Sequence, residues 1–181
     1  MSRYPQKPLD FAALKTVALA ARGGKVRAAD FAAPYEKGAG LAGWLDRLPR
    51  ILAGESFPKV IDAIAAARRN GKPVIWGLGG HVIKCGLAPV LADLMRRGFA
   101  TAFAMNGAAA IHDFEIALAG HTSEDVEAVL PDGSFGSAEE TGREMNQAIA
   151  RGACESIGTG EALGARLEEI ADAAFTGSSL L

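Results

Sequence analysis

Two strand–turn–helix units in succession constrain the fold of this chain most strongly. Residues 73–78 form a nearly continuous apolar run, which is typical of a strand covered on both faces, and a glycine-rich turn follows it. Residues 99–105 form a second apolar strand, and a turn of small residues leads into a helical run over 108–119. We therefore predict an α/β fold with a Rossmann-like open parallel sheet flanked by helices.

The segment between the two strands admits two interpretations. Its periodicity predicts a helix over residues 82–97, but Gly86 and Pro89 lie inside that range. The alternative is a turn followed by a shorter helix that begins near Ala88 and holds Pro89 in its first turn. Before the first strand, a stripe of apolar residues predicts a helix that begins near Pro58.

The two ends of the chain differ from its middle. Prolines and glycines interrupt residues 1–40, which predicts an irregular N-terminal arm, and residues 41–181 then form an α/β nucleotide-binding domain. Residues 175–181 combine a turn signature with two final leucines. This pattern predicts that the sequence is the N-terminal part of a longer protein; the alternative is that the last residues dock on the core.

After the second unit the pattern is mostly helical, and two helix starts can be predicted. Residues 122–125 combine hydroxyl and acidic side chains, which indicates a cap and not a binding site. Ser137 and Glu140 have the spacing of a capping box, in which the serine hydroxyl accepts from the Glu140 amide.

Composition excludes several classes of function. The net charge is -2 and the sequence contains no basic block, so nucleic-acid binding has no electrostatic support. No apolar run approaches the roughly 20 residues that span a bilayer, so we predict no membrane association. Cys85 and Cys154 form neither a CxxC motif nor a zinc pattern. A reduced, cytoplasmic setting is therefore the expectation.

Backbone-rich turns follow both predicted strands. The carboxyl ends of parallel strands meet at one edge of a sheet, where open α/β folds bind ligands. The glycines match the dinucleotide motif GxGxxG incompletely, and no phosphate-binding GKS or GKT sequence is present. We predict a cofactor-binding site at this edge, formed by Gly79, Gly80, His81, Lys84, Asn106, Gly107 and Ala108. Structural roles remain the alternative for the histidine and the lysine.

The strongest polar constellation lies in the second helix. His112, Asp113 and Glu115 fall within four positions of a mostly apolar stretch, where ionisable groups are costly to bury unless they pair or bind something. His112 and Glu115 are three residues apart and share a helix face, whereas Asp113 points elsewhere. We predict that the three residues are catalytic; the alternative is a self-satisfied histidine–carboxylate pair. With His121 the set falls short of a metal signature, so no metal is predicted.

These residues resemble the N-terminal half of the deoxyhypusine synthase family, and among its members the divergent bacterial synthase-like proteins. The first matching stretch is Gly79-Gly-His-Val-Ile-Lys-Cys-Gly-Leu87. The second comprises Asn106-Gly-Ala-Ala109 and Ile111-His-Asp-Phe114, and the similarity covers residues 73–120 at the level of pattern.

The resemblance implies an NAD-binding homo-oligomer that uses both turns to contact the dinucleotide. It also implies NAD-dependent transfer of an aminobutyl group from a polyamine, through an enzyme lysine, to an amine acceptor. The chain departs from the family at Ile111 and His112, where the family has paired glutamates. The imine-forming lysine belongs to a C-terminal half that this sequence does not match, and Lys84 lies in the wrong region to replace it.

Two other classes of function stay open. One is a sugar-phosphate isomerase-like α/β enzyme that uses His112 and Glu115 as acid and base. The other is a non-catalytic ligand-binding module built on the same sheet.

Overall fold

The computed structural model describes residues 3, 5–7, 9–171 and 173–181. Two compact units divide the chain, Met1–Ile61 and Asp62–Leu181. The α-helices of the described residues are α1 Gly40–Asp46, α2 Leu52–Arg69, α3 Gly80–Lys84, α4 Ala88–Arg96, α5 Gly107–Ala119, α6 Val126–Val129, α7 Glu139–Glu155, α8 Thr159–Ile170 and α9 Ala173–Thr176. None of the helices in this described part is both long and apolar enough to cross a membrane.

A parallel pair of strands forms the sheet of the second unit. β1 spans Ile75–Leu78 and β2 spans Ala102–Met105, with Leu78 opposite Met105 in register. Both strands therefore end at the same edge, and the predicted mixed α/β architecture with a parallel sheet flanked by helices is confirmed at this level. Within the described residues the sheet has two strands.

One face of this sheet is uncovered, which corrects the prediction that β1 is buried on both faces. Ile75 is 66% exposed and Gly77 is exposed, whereas Trp76 is half-buried and Leu78 is buried. The Trp76 indole N–H donates to the carbonyl of Phe99 at 3.0 Å, which fixes the ring on the covered face. The alternation follows from the two-residue period of a strand; continuous apolar character alone does not reveal it.

Helix α5 is the centre of the core. Phe114 and Ala117 pack against α7 and α8, while Ala109 packs against Ile83 of α3 and Ala88 of α4. Phe114 is fully buried. A helix that is apolar on most of its faces suits this position, because neighbours cover it on several sides.

The segment between the strands follows the shorter of the two predicted interpretations. Helix α3 ends at Lys84, and Gly86 adopts a φ of +76°, a left-handed conformation that glycine accepts without strain. Helix α4 then begins at Ala88 with Pro89 in its first turn, where the missing N–H of proline breaks no helical bond.

Two predicted helix starts are wrong. Helix α2 begins at Leu52 and includes Pro58 in its interior, so proline does not mark its first turn. Helix α7 has Ala138 at its N-cap position, with no side-chain capping bond. Ser137 therefore does not form the expected capping box with Glu140, because the helix begins one residue later than that motif requires.

The last residues dock on the core through Asp113. Its Oδ2 atom accepts hydrogen bonds from the Ser179 hydroxyl at 2.6 Å, from the Leu180 N–H at 2.8 Å and from the Leu181 N–H at 3.0 Å. Leu180 packs against Ala109 and its neighbours, and Leu181 packs against the Phe114 cluster. The prediction that the last residues dock on the core is therefore confirmed for residues 179–181, and the prediction of a longer protein stays a prediction.

A network of charged side chains joins α7 to α8. Glu144 is buried and accepts from Arg143 at 2.9 Å and from the Arg166 Nε at 2.9 Å. Arg166 also donates to Glu169 at 2.7 Å, and Arg151 donates to Glu169 at 3.0 Å. The hydrogen bonds from Arg166 and then from Arg143 hold the pKa of Glu144 below its usual value.

This lowered pKa predicts a defined pH dependence of stability. The stabilisation from Glu144 is complete above its unfolded pKa of about 4.5 and is lost as the pH falls through the lower folded value. Glu144→Gln should therefore lower the urea midpoint most at pH 7, and the difference from the native chain should shrink towards pH 3. Glu127→Gln, on exposed α6, is the control and should leave the midpoint unchanged. A difference that grows on acidification would contradict the assignment.

Candidate functional site

Helix α5 brings two of the three predicted catalytic residues together. The Asn106 side chain caps its first turn by accepting from the Ala109 N–H at 2.9 Å. His112 and Glu115 then lie one turn apart, with side chains 16% and 20% exposed. Asp113 lies on the opposite side, fully buried and bonded to residues 179–181. The structure thus separates Asp113 from the pair.

A threonine hydroxyl connects the histidine to the glutamate. Thr122 follows the end of α5, and its Oγ1 lies 2.7 Å from His112 Nδ1. The same hydroxyl donates a hydrogen bond to Glu115 Oε2. The direct separation of His112 Nδ1 from that carboxylate oxygen is 3.8 Å, so the threonine completes the relay.

While Glu115 is ionised, the hydrogen count of this relay selects the tautomer of His112. A threonine hydroxyl has one proton, which it donates to the Glu115 carboxylate, and its oxygen can then only accept. His112 Nδ1 must therefore carry a proton and donate it to Thr122. In the neutral ring Nε2 is left with a free lone pair, and no described residue forms a hydrogen bond with it. An imidazole in this state can act as a general base.

Glu115 lies at the meeting point of two cavities. Thr141 of α7 donates to its other oxygen, Oε1, at 3.2 Å. Cavities of about 500 and 510 Å³ share Glu115, Glu124 and Thr141 in their walls. We call the two cavities together the Glu115 groove; their volumes are within the range of small-molecule sites.

The groove is lined by more acidic than basic side chains. Glu115 and Glu124 line both cavities, Glu140 lines the first, and Lys84 lines the second. The Glu124 carboxylate accepts from the Gly136 N–H at 3.2 Å, which holds residues 124 and 136 together. Three carboxylates against one ammonium favour a cationic ligand.

An apolar wall completes the second cavity. Its members are large side chains that remain substantially exposed or half-buried: Ile111, Val126, Phe135, Met145 and Ile149. Exposed apolar side chains concentrated around polar groups are typical of a binding surface. The groove therefore offers carboxylates for a charged group and apolar contacts for methylene groups.

The first strand-end turn lies beside His112. A Cβ on Gly80 would lie 3.0 Å from His112 Cδ2 and 3.2 Å from Ala108 Cβ, so Gly80 packs directly on α5. Gly79 has more space, with Asn106 Nδ2 at 4.0 Å. His81 is exposed and does not line the groove, whereas the exposed Lys84 does.

The second turn is adjacent to the first. The Asn106 N–H lies 3.4 Å from the Leu78 carbonyl, which joins the two turns at the end of the sheet. A Cβ on Gly107 would meet no atom within 4 Å, and Ala108 is exposed apart from its approach to Gly80. The residues predicted from the two turns are therefore neighbours, and open backbone is available at Gly79 and Gly107.

The contact at Gly80 predicts different effects of alanine at two adjacent positions. Gly80→Ala should displace the His112 ring and lower the free energy of unfolding by about 1–3 kcal/mol, the usual range for overpacking. Gly79→Ala should leave the His112 ring in place, because its new methyl group has ordinary contacts. Urea denaturation and the His112 NMR resonances of both variants test this. If both variants had the same urea midpoint and the same His112 resonances, the turn would not support the histidine.

Sequence reasoning missed the residues that orient Glu115. The segment 122–125 is predicted as a helix cap; Asp125 does cap α6, accepting from the Glu127 and Ala128 N–H groups, but Thr122 bonds to His112 and Glu115 instead. Thr141 lies 26 residues from Glu115 in the chain. The position of the polar Thr122, two residues after the Gly120 that caps α5, was the one local signal for it.

The same residues bear on NAD and on metals. The backbone at Gly79 and at Gly107 has room for a methyl-sized group, but Gly80 is covered by His112, so NAD could approach the two turns closely at only two of these three glycines. Among the described residues, no three His, Cys, Asp or Glu side chains are grouped to hold a metal ion.

Comparison with known proteins adds no relative: no family model, no curated protein and no solved structure matches this chain.

Proposed function

We propose that this chain binds a small organic amine in the Glu115 groove and that His112 accepts a proton from the bound ligand. The observation that carries the proposal is the position of Glu115, which lines both cavities while Thr122 and Thr141 orient its two oxygens. A carboxylate oriented in this way forms strong charge-assisted hydrogen bonds with an ammonium group.

The walls of the groove favour a polyamine over a compact amine. Its carboxylates, Glu115, Glu124 and Glu140, could each attract an ammonium group, and the apolar wall could contact the methylene chain between them. Spermidine has this alternation of charge and methylene groups. The resemblance to deoxyhypusine synthases is consistent with such a ligand.

The proposed proton transfer uses the free nitrogen of His112. The ammonium N–H bond breaks, Nε2 gains the proton, and the amine nitrogen keeps the electron pair as a neutral nucleophile. The resulting imidazolium still donates from Nδ1 to Thr122, and Glu115 lies 3.8 Å from that nitrogen. The relay therefore stabilises the charge that develops on the ring.

NAD remains a prediction of the resemblance. When bound, NAD would supply a hydride acceptor for oxidation of the amine; Gly79 and Gly107 are the positions with room for it. A Gly79→Val variant would fill that space and should abolish NAD binding without changing the far-UV circular dichroism.

A sugar-phosphate isomerase is the second candidate, and the placement of Lys84 is the observation that favours it. Lys84 lines the same cavity as His112 and Glu115, so one cation is available for a phosphate beside an acid–base pair. The two carboxylates of that cavity oppose an anionic ligand, and for this reason we prefer the amine.

Calorimetry of the whole chain with separate ligands tests the proposal. We expect saturable binding of spermidine and weaker binding of butylamine, with NAD and glucose 6-phosphate titrated separately. Light scattering of the same samples tests the predicted homo-oligomer. Binding of glucose 6-phosphate without binding of spermidine would overturn the amine proposal in favour of the isomerase.

A further inference from the structure

We propose that the first unit contains a separate binding site for a phosphate-bearing small molecule. A cavity of about 850 Å³ lies within residues 25–59 of that unit. The short 3₁₀ turn Ala28–Asp30 forms part of one wall, and the first turns of α2 form part of another. This site does not depend on the Glu115 groove or on the function proposed for it.

The cavity carries an excess of positive charge. Its charged lining residues are Lys25, Arg27, Arg50, Lys59, Asp30 and Glu55. Both carboxylates are already paired: Asp30 accepts two bonds from Arg27, at 2.8 and 3.1 Å, and Glu55 accepts from Lys59 at 2.6 Å.

Two cations remain for a ligand. Among the described residues, no carboxylate lies within ion-pair distance of Lys25 or of Arg50. The hydrogen bond from Arg27 lowers the pKa of Asp30 most, and the charge of Arg50 contributes at longer range. Asp30 is 8% exposed and neutralised by Arg27, so it opposes an incoming anion weakly. A guanidinium and an ammonium that line one cavity supply the positive charge and the hydrogen-bond donors that a phosphate dianion or a pyrophosphate binds.

The backbone around the cavity is held in a specific and partly strained form. The Arg50 N–H donates to the Asp30 carbonyl at 2.8 Å, which joins the two walls. Leu52 adopts a φ of +50°, which a leucine rarely accepts. A Cβ on Gly54 would lie 2.2 Å from the Pro49 carbonyl oxygen, so this close approach requires glycine.

The strained turn lies where α2 begins, and the first turn of this helix lines the same cavity as the two cations. The first N–H groups of a helix lack partners within the helix, and Leu52 and Gly54 line the cavity with Lys25 and Arg50. Backbone strain that surrounding contacts maintain is common at functional sites. The paired carboxylates, the two unpaired cations and the cavity volume together favour a phosphate ligand.

Titration of the whole chain with inorganic pyrophosphate at physiological salt tests this site. We expect saturable binding by calorimetry, weakened about 10-fold or more in Arg50→Gln and several-fold in Lys25→Gln. Both side chains are exposed, so neither substitution should unfold the chain. Lys37→Gln removes an exposed cation of the same unit that does not line the cavity, and it should leave the affinity within about twofold.

Two results would overturn the proposal. One is no binding of pyrophosphate at millimolar concentration. The other is an equal loss of affinity in Arg50→Gln and Lys37→Gln, which would indicate a general charge effect. Since the Glu115→Gln variant does not alter this unit, pyrophosphate binding should persist in it, and this separates failure of the phosphate site from failure of the amine site.

Discussion

Replacing Glu115 with glutamine should weaken spermidine binding about 10- to 100-fold. Hydrogen bonds to a charged group contribute about 1.5–3 kcal/mol, and Glu115→Gln removes the charge while keeping the size of the side chain. The amide oxygen can accept from Thr122 at the Oε2 position, and the amide NH2 at the Oε1 position can donate to the Thr141 hydroxyl, so the fold around the groove should persist. Calorimetry with spermidine measures the change.

A matched glutamate outside the groove controls for the loss of one negative charge. Glu127 of α6 does not line either cavity, and Glu127→Gln should leave the spermidine affinity within about twofold. If both variants bind spermidine equally well, Glu115 does not contact the ligand, and the amine proposal loses the observation on which it depends.

Replacing Asp113 with alanine should lower the free energy of unfolding by about 3–5 kcal/mol. Three donors from residues 179–181 converge on one Asp113 oxygen, and each buried donor left unpaired costs about 1–3 kcal/mol, less where water reaches it. The end of the chain would then leave its position, and Leu180 and Leu181 would lose their core contacts. Urea denaturation measures the loss.

Asparagine at the same position separates the hydrogen bonds from the charge. The Asp113 Oδ2 atom accepts all three bonds, while buried Oδ1 has no partner among the described residues. Asp113→Asn can place its amide oxygen at the Oδ2 position, so it should lower the free energy of unfolding by less than Asp113→Ala does. Hydrogen exchange at the Leu180 amide should become faster in Asp113→Ala and should stay close to that of the native chain in Asp113→Asn. Unchanged exchange in Asp113→Ala would contradict the docking role.

The elements that the sequence predicts well are those set by local patterns. The two apolar strands, the small-residue turns and the apolar run of α5 all lie close to their predicted places. Pro89 also lies in the first turn of α4, as one of the two interpretations required. In each case the signal comes from neighbouring residues, whose spacing already determines the structure.

The predictions that fail depend on contacts between distant residues. Pro58 looks like a helix start, but Leu52 begins α2 with a positive φ that no propensity favours. Whether a sheet face is covered depends on what packs there, and Ile75 shows that one face remains open.

The candidate site shows the same limit. The sequence pairs His112 with Glu115 because they share a helix face, and the structure brings them together. The sequence cannot show that Thr122 and Thr141 orient the carboxylate, since these two threonines lie 7 and 26 residues from Glu115. Nor can it show that the acceptor for residues 179–181 is Asp113, whose partners lie 66 to 68 residues away.

Nitrogen-15 NMR of the histidine side chains, with and without spermidine, tests the central claim most directly. The chain has three histidines; His121 lines the first cavity of the groove, whereas exposed His81 lies outside the groove and serves as the internal reference. The structure predicts that neutral His112 carries its proton on Nδ1 and that saturating spermidine shifts its Nε2 resonance while that of His81 stays in place. A proton on Nε2 in the free protein, or no change at His112 on saturation, would contradict the account.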